Sequence, residues 1–166
     1  MGKRLVTVQQ RRVCLYRIPC ILLPTTEADS CRVMMKRVLI VDDNIYVRDL
    51  VQTFLKHAPE IEICGEAING AEAIEKAKQL KADVVLLDLA MPSMNGVEAA
   101  SILKKTLPGV SVIMFTMYSE NIPKSAISAM GVDLVLSKTD GIAHLVESIN
   151  TTFAARASAH LPANPA

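Results

Sequence analysis

No apolar run in this chain approaches the ~18 residues that a membrane-spanning helix requires. An export signal is missing as well. The opening segment is basic and turns apolar around Cys20–Leu23, but Arg11, Arg12 and Arg17 interrupt the ~7–15 apolar residues that a secretory signal needs. The start Met1-Gly2-Lys3-Arg4-Leu5-Val6 places Val6 where a myristoylation motif takes Ser or Thr. Neither export nor lipid anchoring is expected, so no membrane partner is either. Cysteines are few: Cys14, Cys20, Cys31 and Cys64, without a CxxC or any zinc-ligand spacing. They read as free thiols of a cytoplasmic protein, and Cys64 as a small core residue. His57, His144 and His160 have no metal-binding companion at useful spacing. No internal repeat is visible.

What is present is globular composition, with 51% apolar and 21% charged residues in 166. That length suits one domain with a substantial core. The net charge of +1 hides an asymmetry. Residues 1–36 hold seven Lys/Arg and two Asp/Glu, a net +5, whereas residues 37–166 hold eleven and fifteen, a net −4. A mildly acidic body lacks the basic face that nucleic-acid binding needs, so no nucleic-acid partner is expected.

From Lys36 onward, short apolar runs alternate with amphipathic stretches. Val38–Val41, Ile61–Ala67, Val84–Leu87, Val110–Phe115 and Leu134–Ser137 read as strands, and the continuous apolar runs among them suit strands buried on both faces. Between them lie helical patterns. Val47, Leu50, Val51 and Phe54 form the first, with Pro59 beyond its end. Asn69 with Glu72, and Asn95 with Glu98, are cap pairs that open the second and third. Pro123 opens a fourth that Gly131 stops. Asp140 can cap a last helix carrying Ile142, Leu145, Val146, Ile149 and Phe153. Five βα units imply an α/β fold with a doubly wound, five-stranded parallel sheet, and right-handed crossovers favour the flavodoxin-like strand order 2-1-3-4-5.

In such sheets, ligands bind beyond the carboxyl ends of the strands. Asp42 and Asp43 follow the first strand, Asp88 the third, Thr116 the fourth and Lys138 the fifth. Three carboxylates on one rim repel one another, and a hard divalent cation such as Mg²⁺ resolves that repulsion with oxygen ligands while leaving room for a phosphate oxygen. Lys138 and Thr116 would add charge and a hydrogen bond to a transferred phosphoryl group.

These stretches resemble the response-regulator receiver family of two-component signalling, with CheY-like architecture. The resemblance rests on Arg37-Val38-Leu39-Ile40-Val41-Asp42-Asp43-Asn44, on Val84-Val85-Leu86-Leu87-Asp88-Leu89-Ala90-Met91-Pro92-Ser93-Met94-Asn95-Gly96, on Val112-Ile113-Met114-Phe115-Thr116 and on Leu136-Ser137-Lys138. It covers Lys36 to about Phe153. It implies that Asp88 is the phosphoacceptor, that Asp43 is a direct Mg²⁺ ligand and Asp42 a water-mediated one, and that the Ala90 carbonyl is the backbone ligand. Thr116 matches the hydroxyl that moves to the phosphoryl group, and Lys138 its ion-pair partner. Met91-Pro92 and Gly96 match the loop at the pocket floor. The chain departs from the family at Met117, where a small residue is usual, and at Val135, where an aromatic ring often swings with the hydroxyl; Tyr118 is the candidate to share that role. Thr139 replaces the usual Pro after the lysine, which leaves open whether the Lys138–Thr139 bond is cis.

The expected function is a single-domain receiver that takes a phosphoryl group from a sensor histidine kinase or a histidine phosphotransfer protein. It would then alter its affinity for a downstream protein, or for a second copy of itself, through the fourth helix, fifth strand and last helix. Three alternatives compete. Aspartyl-phosphate phosphatases resemble DxDxT at the first strand end, where this chain reads Asp42-Asp43-Asn44-Ile45. A receiver fragment of a DNA-binding regulator would need its helix-turn-helix, and only about a dozen residues follow the last helix. A degenerate receiver would not keep the acidic, Thr and Lys set. Residues 35–154 are the expected domain, with 155–166 a disordered tail. Residues 1–34 are expected outside it, as a disordered basic arm or as a mis-assigned start with Met34 or Met35 as the true first residue. A short element docked through Val13, Leu15 and Ile18–Leu23 is the alternative for that segment.

Overall fold

Val38–Val41, Val84–Leu87 and Val112–Phe115 are apolar at every position, and each points its side chains alternately to two sides. Such strands are stable only when both faces are covered. The computed structural model, which describes residues 35–122, 127, 129–139 and 141–159, covers both. Residues 1–34 and the tail beyond 159 lie outside the described residues, as does most of the segment opened by Pro123, and so does the proposed cap Asp140.

The strands are β1 (Lys36–Val41), β2 (Ile61–Ala67), β3 (Val84–Leu87), β4 (Ser111–Thr116) and β5 (Leu134–Ser137). All neighbours pair in parallel, in the order β2-β1-β3-β4-β5. The helices are α1 (Ile45–Leu55), α2 (Gly70–Gln79), α3 (Gly96–Thr106) and α4 (Leu145–Ala159), the last entered through a 3₁₀ turn at Gly141–His144. No helix among the described residues is long and apolar enough to cross a membrane.

The alternation of the strands sorts the core into two layers. Leu39, Val41, Val85, Leu87, Val112 and Met114 meet the Ala73–Ala77 face of α2 and Ala99, Ala100 and Leu103 of α3. Val38, Ile40, Val84, Leu86, Ile113 and Phe115 meet Val51 and Leu55 of α1 and Leu145 and Ile149 of α4. Asn69 and Asn95 cap α2 and α3 as expected, their side chains accepting from the N–H of Glu72 and Glu98 at 2.9 and 3.0 Å. Gly131 adopts φ +74°, the left-handed conformation that suits a helix stop.

Two features differ from the sequence expectation. Val47, Val51 and Leu55 carry the contact of α1, while Leu50 and Phe54 stay 49% and 42% exposed. The helix presents a narrower stripe to the sheet than its apolar residues span. The last helix also continues to Ala159 rather than ending at 154. Ala154, Ala155 and Ala157 are strong helix formers, and no proline intervenes before Pro162.

Candidate functional site

Parallel pairing brings all the carboxyl ends of the strands to one edge. The N–H of Asp88 donates to the carbonyl of Val41 (2.9 Å), and that of Lys138 to the carbonyl of Thr116 (3.0 Å). Asp88 and Lys138 therefore begin their excursions from backbone positions already locked to a neighbouring strand.

Asp42, Asp43 and Asp88 converge: one carboxylate oxygen from each lies within 4.8 Å of the others. Asp42 and Asp88 are 3% and 6% exposed, and Asp43 faces solvent. The donor set is all hard oxygen, which fits Mg²⁺ rather than a thiophilic metal. Asp42 has both oxygens engaged, Oδ1 accepting from the N–H of Asn44 (2.9 Å) and Oδ2 facing Lys138 Nζ (2.6 Å). Lys138 also reaches Asp88 Oδ2 at 3.1 Å, so one ammonium bridges two buried carboxylates. Asp88 Oδ1 accepts from the N–H of Leu89 (2.8 Å).

Burial pushes the Asp88 carboxyl above its ordinary value; Lys138 opposes this and Asp42 reinforces it. A carboxyl whose folded value is raised favours folding below its unfolded value, and that contribution is lost as pH rises through the folded value. At neutral pH the ionised Asp88 is therefore a burden on the metal-free fold. Asp88→Asn is expected to raise the metal-free melting temperature at pH 7.5 by a few degrees. The difference should shrink as the buffer is made acidic. A gain that grows toward acid pH, measured by calorimetry, would contradict the assignment.

Thr116 is fully buried, with its Oγ1 accepting from the N–H of Tyr118 at 3.2 Å. Tyr118 and Met117 are exposed, at 53% and 60%. Val135 is half-buried against the α2–α3 side of the core. No peptide bond among the described residues is cis, that between Lys138 and Thr139 included. Ala90 is exposed, two residues beyond Asp88. Its loop is closed by the N–H of Gly96 donating to the carbonyl of Leu89 (3.0 Å). Within it, the N–H of Met94 donates to Pro92 O (2.8 Å) across Ser93 at φ +69°, a tight three-residue turn.

Two residues not singled out in the sequence also belong to this region. Arg48 on α1 donates to the carbonyl of Asp42 at 2.8 Å and pairs with Glu66 at the end of β2 (2.7 Å). The available signal was weak: a charged residue amid the apolar positions of α1, and another just before the close of a strand.

The response regulator receiver domain matches this chain over residues 38–150. The chain belongs to that family. The response regulator protein VraR of Staphylococcus saprophyticus is 39% identical over 117 residues, which are 70% of this chain and 56% of that protein. The corresponding protein of Staphylococcus aureus is 38% identical over 119 residues, 72% and 57% of the two. This receiver chain thus spans a little over half the length of these curated relatives. Among solved structures, the response regulator domain of Thermotoga maritima CheB superposes with a TM-score of 0.64 at 26% identity, covering 79% of this chain and 99% of that one. A DNA-binding response regulator of the LuxR family from Staphylococcus aureus gives 0.64 at 27%, covering 71% and 98%.

Proposed function

We propose that this receiver is phosphorylated on Asp88 by a sensor histidine kinase or a histidine phosphotransfer protein in the cytoplasm, and that phosphorylation changes its binding to a downstream protein. The observation that carries this reading is the convergence of three carboxylates and one ammonium on a single rim, where Lys138 bridges the buried Asp42 and Asp88. An Asp88 carboxylate oxygen attacks phosphorus while the bond to the donor's histidine nitrogen breaks; the nitrogen keeps the bonding pair and takes a proton from solvent, which leaves an acyl phosphate on Asp88 and a free imidazole on the donor. Asp43, Asp88 and the Ala90 carbonyl would hold Mg²⁺ directly and Asp42 through water. The ion would supply charge neutralisation between the incoming phosphoryl oxygens and the carboxylates. Lys138 exchanges its carboxylate partners for a phosphoryl oxygen, and the Thr116 hydroxyl donates to another. Both lie at the ends of neighbouring strands, so the new bonds draw on β4, β5 and the segments flanking them, with Tyr118 and Val135 adjusting beside Thr116. That face would then bind a partner, or a second copy of the chain, differently.

The relatives' extra length, and the DNA-binding regulator among the matched structures, favour one second reading: that this receiver works as the input half of a DNA-binding regulator. Its own acidic body would not be the DNA-contacting part.

The test is labelling with acetyl phosphate and MgCl₂, read by intact mass. The wild type is expected to gain one acid-labile phosphoryl group, and Asp88→Asn none. Full labelling of that variant, or labelling undiminished by a chelator, would refute the site. A gel shift of the whole gene product purified from its host, rather than of this receiver alone, separates the two readings of output.

A further inference from the structure

We infer that Arg48 is a positioning residue for Mg²⁺, acting through the backbone that joins Asp42 to Asp43; this rests on the metal reading above. The carbonyl that Arg48 Nη1 holds at 2.8 Å belongs to the peptide between those two aspartates. Rotation of that peptide plane swings the direction in which Asp43 leaves the end of β1. The Asp42 N–H is already fixed, donating to the carbonyl of Ala67 at 3.1 Å. Arg48 fixes the other end, so the turn carrying both acids is tied to the end of β2 on both sides.

Arg48 is itself held. Its side chain is only 11% exposed, and its Nε donates to Glu66 Oε2 at 2.7 Å. Gln52 donates to the other Glu66 oxygen. The backbone carbonyl of Glu66 accepts from Lys76 Nζ at 2.6 Å. A guanidinium can serve a carboxylate and a carbonyl together because its N–H groups diverge in one rigid plane, whereas an ammonium on a flexible stem lacks that fork. Because Glu66 neutralises it, Arg48 offers little attraction to a phosphoryl group. Its contribution is directional.

The sign of the mutational effect separates this idea from its rivals. A cation beside a divalent-metal site weakens metal binding by repulsion, so if Arg48 acted only through its charge, Arg48→Ala would tighten Mg²⁺. If Arg48 only joined α1 to β2, the variant would melt earlier yet bind Mg²⁺ normally once folded. A positioning role predicts weaker binding in the folded variant, by about tenfold, the lower end of the effect seen when groups behind metal ligands are removed.

The experiment is titration calorimetry with MgCl₂ at a temperature where every variant is folded, beside amide chemical shifts of Asp43 and Asn44. Arg48→Ala should lose about tenfold in Mg²⁺ affinity and shift both amides in the metal-free state. Arg48→Lys, which keeps charge and fold, should fall between it and the wild type. Asp49→Ala, exposed on the same helix, should match the wild type. Wild-type affinity or tighter in both Arg48 variants would overturn the inference while leaving the metal reading intact. Asp43→Asn tests that reading separately: if the wild type binds no Mg²⁺ at millimolar concentration, or Asp43→Asn binds it as well as the wild type, the reading itself fails and the inference goes with it.

Discussion

Lys138→Met is expected to lower the melting temperature of the metal-free receiver by about 10 °C, with MgCl₂ recovering most of the loss. The ammonium stands 2.6 Å from Asp42 and 3.1 Å from Asp88, and all three side chains are about nine-tenths buried. Removing one partner of a buried ion pair costs roughly 3–5 kcal/mol, because the other charge is left uncompensated. Here two carboxylates are left. The rim lies beside solvent, so protonation of Asp88 and entering water relieve part of the penalty, leaving about 2–4 kcal/mol. A divalent cation bound by the same acids restores positive charge where it was lost, so Mg²⁺ should stabilise the variant more than the wild type. Combining Lys138→Met with Asp88→Asn should recover a large part of the loss without metal, since the substitutions share one cluster. Thermal unfolding with and without MgCl₂ checks this. Equal Mg²⁺ stabilisation of wild type and variant would show that Lys138 does not occupy the metal's electrostatic role.

The parts of this architecture that were legible in the sequence are those decided locally or by topology. Val84–Leu87 reads as a strand because a segment buried on both faces must be apolar at every position, and Asn69 and Asn95 read as caps because each bonds an amide three residues away. The rim was legible for another reason: once five parallel strands are placed, Asp42, Asp43, Asp88, Thr116 and Lys138 need only end their strands to meet. What stayed hidden depends on distances between elements. Periodicity puts Leu50 and Phe54 on the stripe of α1 but does not say how wide a contact the sheet offers. Arg48 and Glu66 are 18 positions apart, and nothing in either neighbourhood announces that the guanidinium reaches a strand-end carbonyl. Lys138 could be placed at the site, but its bridging of Asp42 and Asp88 is a property of the folded metal-free state.

Gly96→Ala is the substitution expected to damage fold and site together, although it adds a single methyl group. A Cβ on Gly96 would lie 2.2 Å from the carbonyl oxygen of Asp88, 2.9 Å from the Cα of Leu89 and 3.0 Å from the carbonyl carbon of Asp88. All three are backbone atoms, so no side chain can rotate aside. Either the end of β3 moves or the start of α3 does. Moving β3 strains the bond from the Asp88 N–H to Val41 O on β1. Moving α3 pulls at Ala99, Ala100 and Leu103, each fully buried. Overpacking of a tight interior typically costs 1–3 kcal/mol, and with backbone on both sides the upper end applies. A loss of about 3 kcal/mol lowers the melting temperature by roughly 10 °C. Because the displaced atoms carry Asp88, the proposed phosphoacceptor, labelling by acetyl phosphate should slow at least tenfold at temperatures where the variant remains folded, in line with the sensitivity of such sites to displacements of about 1 Å. Gly109→Ala is the matched control: its Cβ meets nothing within 4 Å, so its stability should stay within about 0.5 kcal/mol of wild type and its labelling rate should be unchanged. If Gly96→Ala melts and labels like Gly109→Ala, the close approach of α3 to the Asp88 backbone is not what shapes the pocket floor.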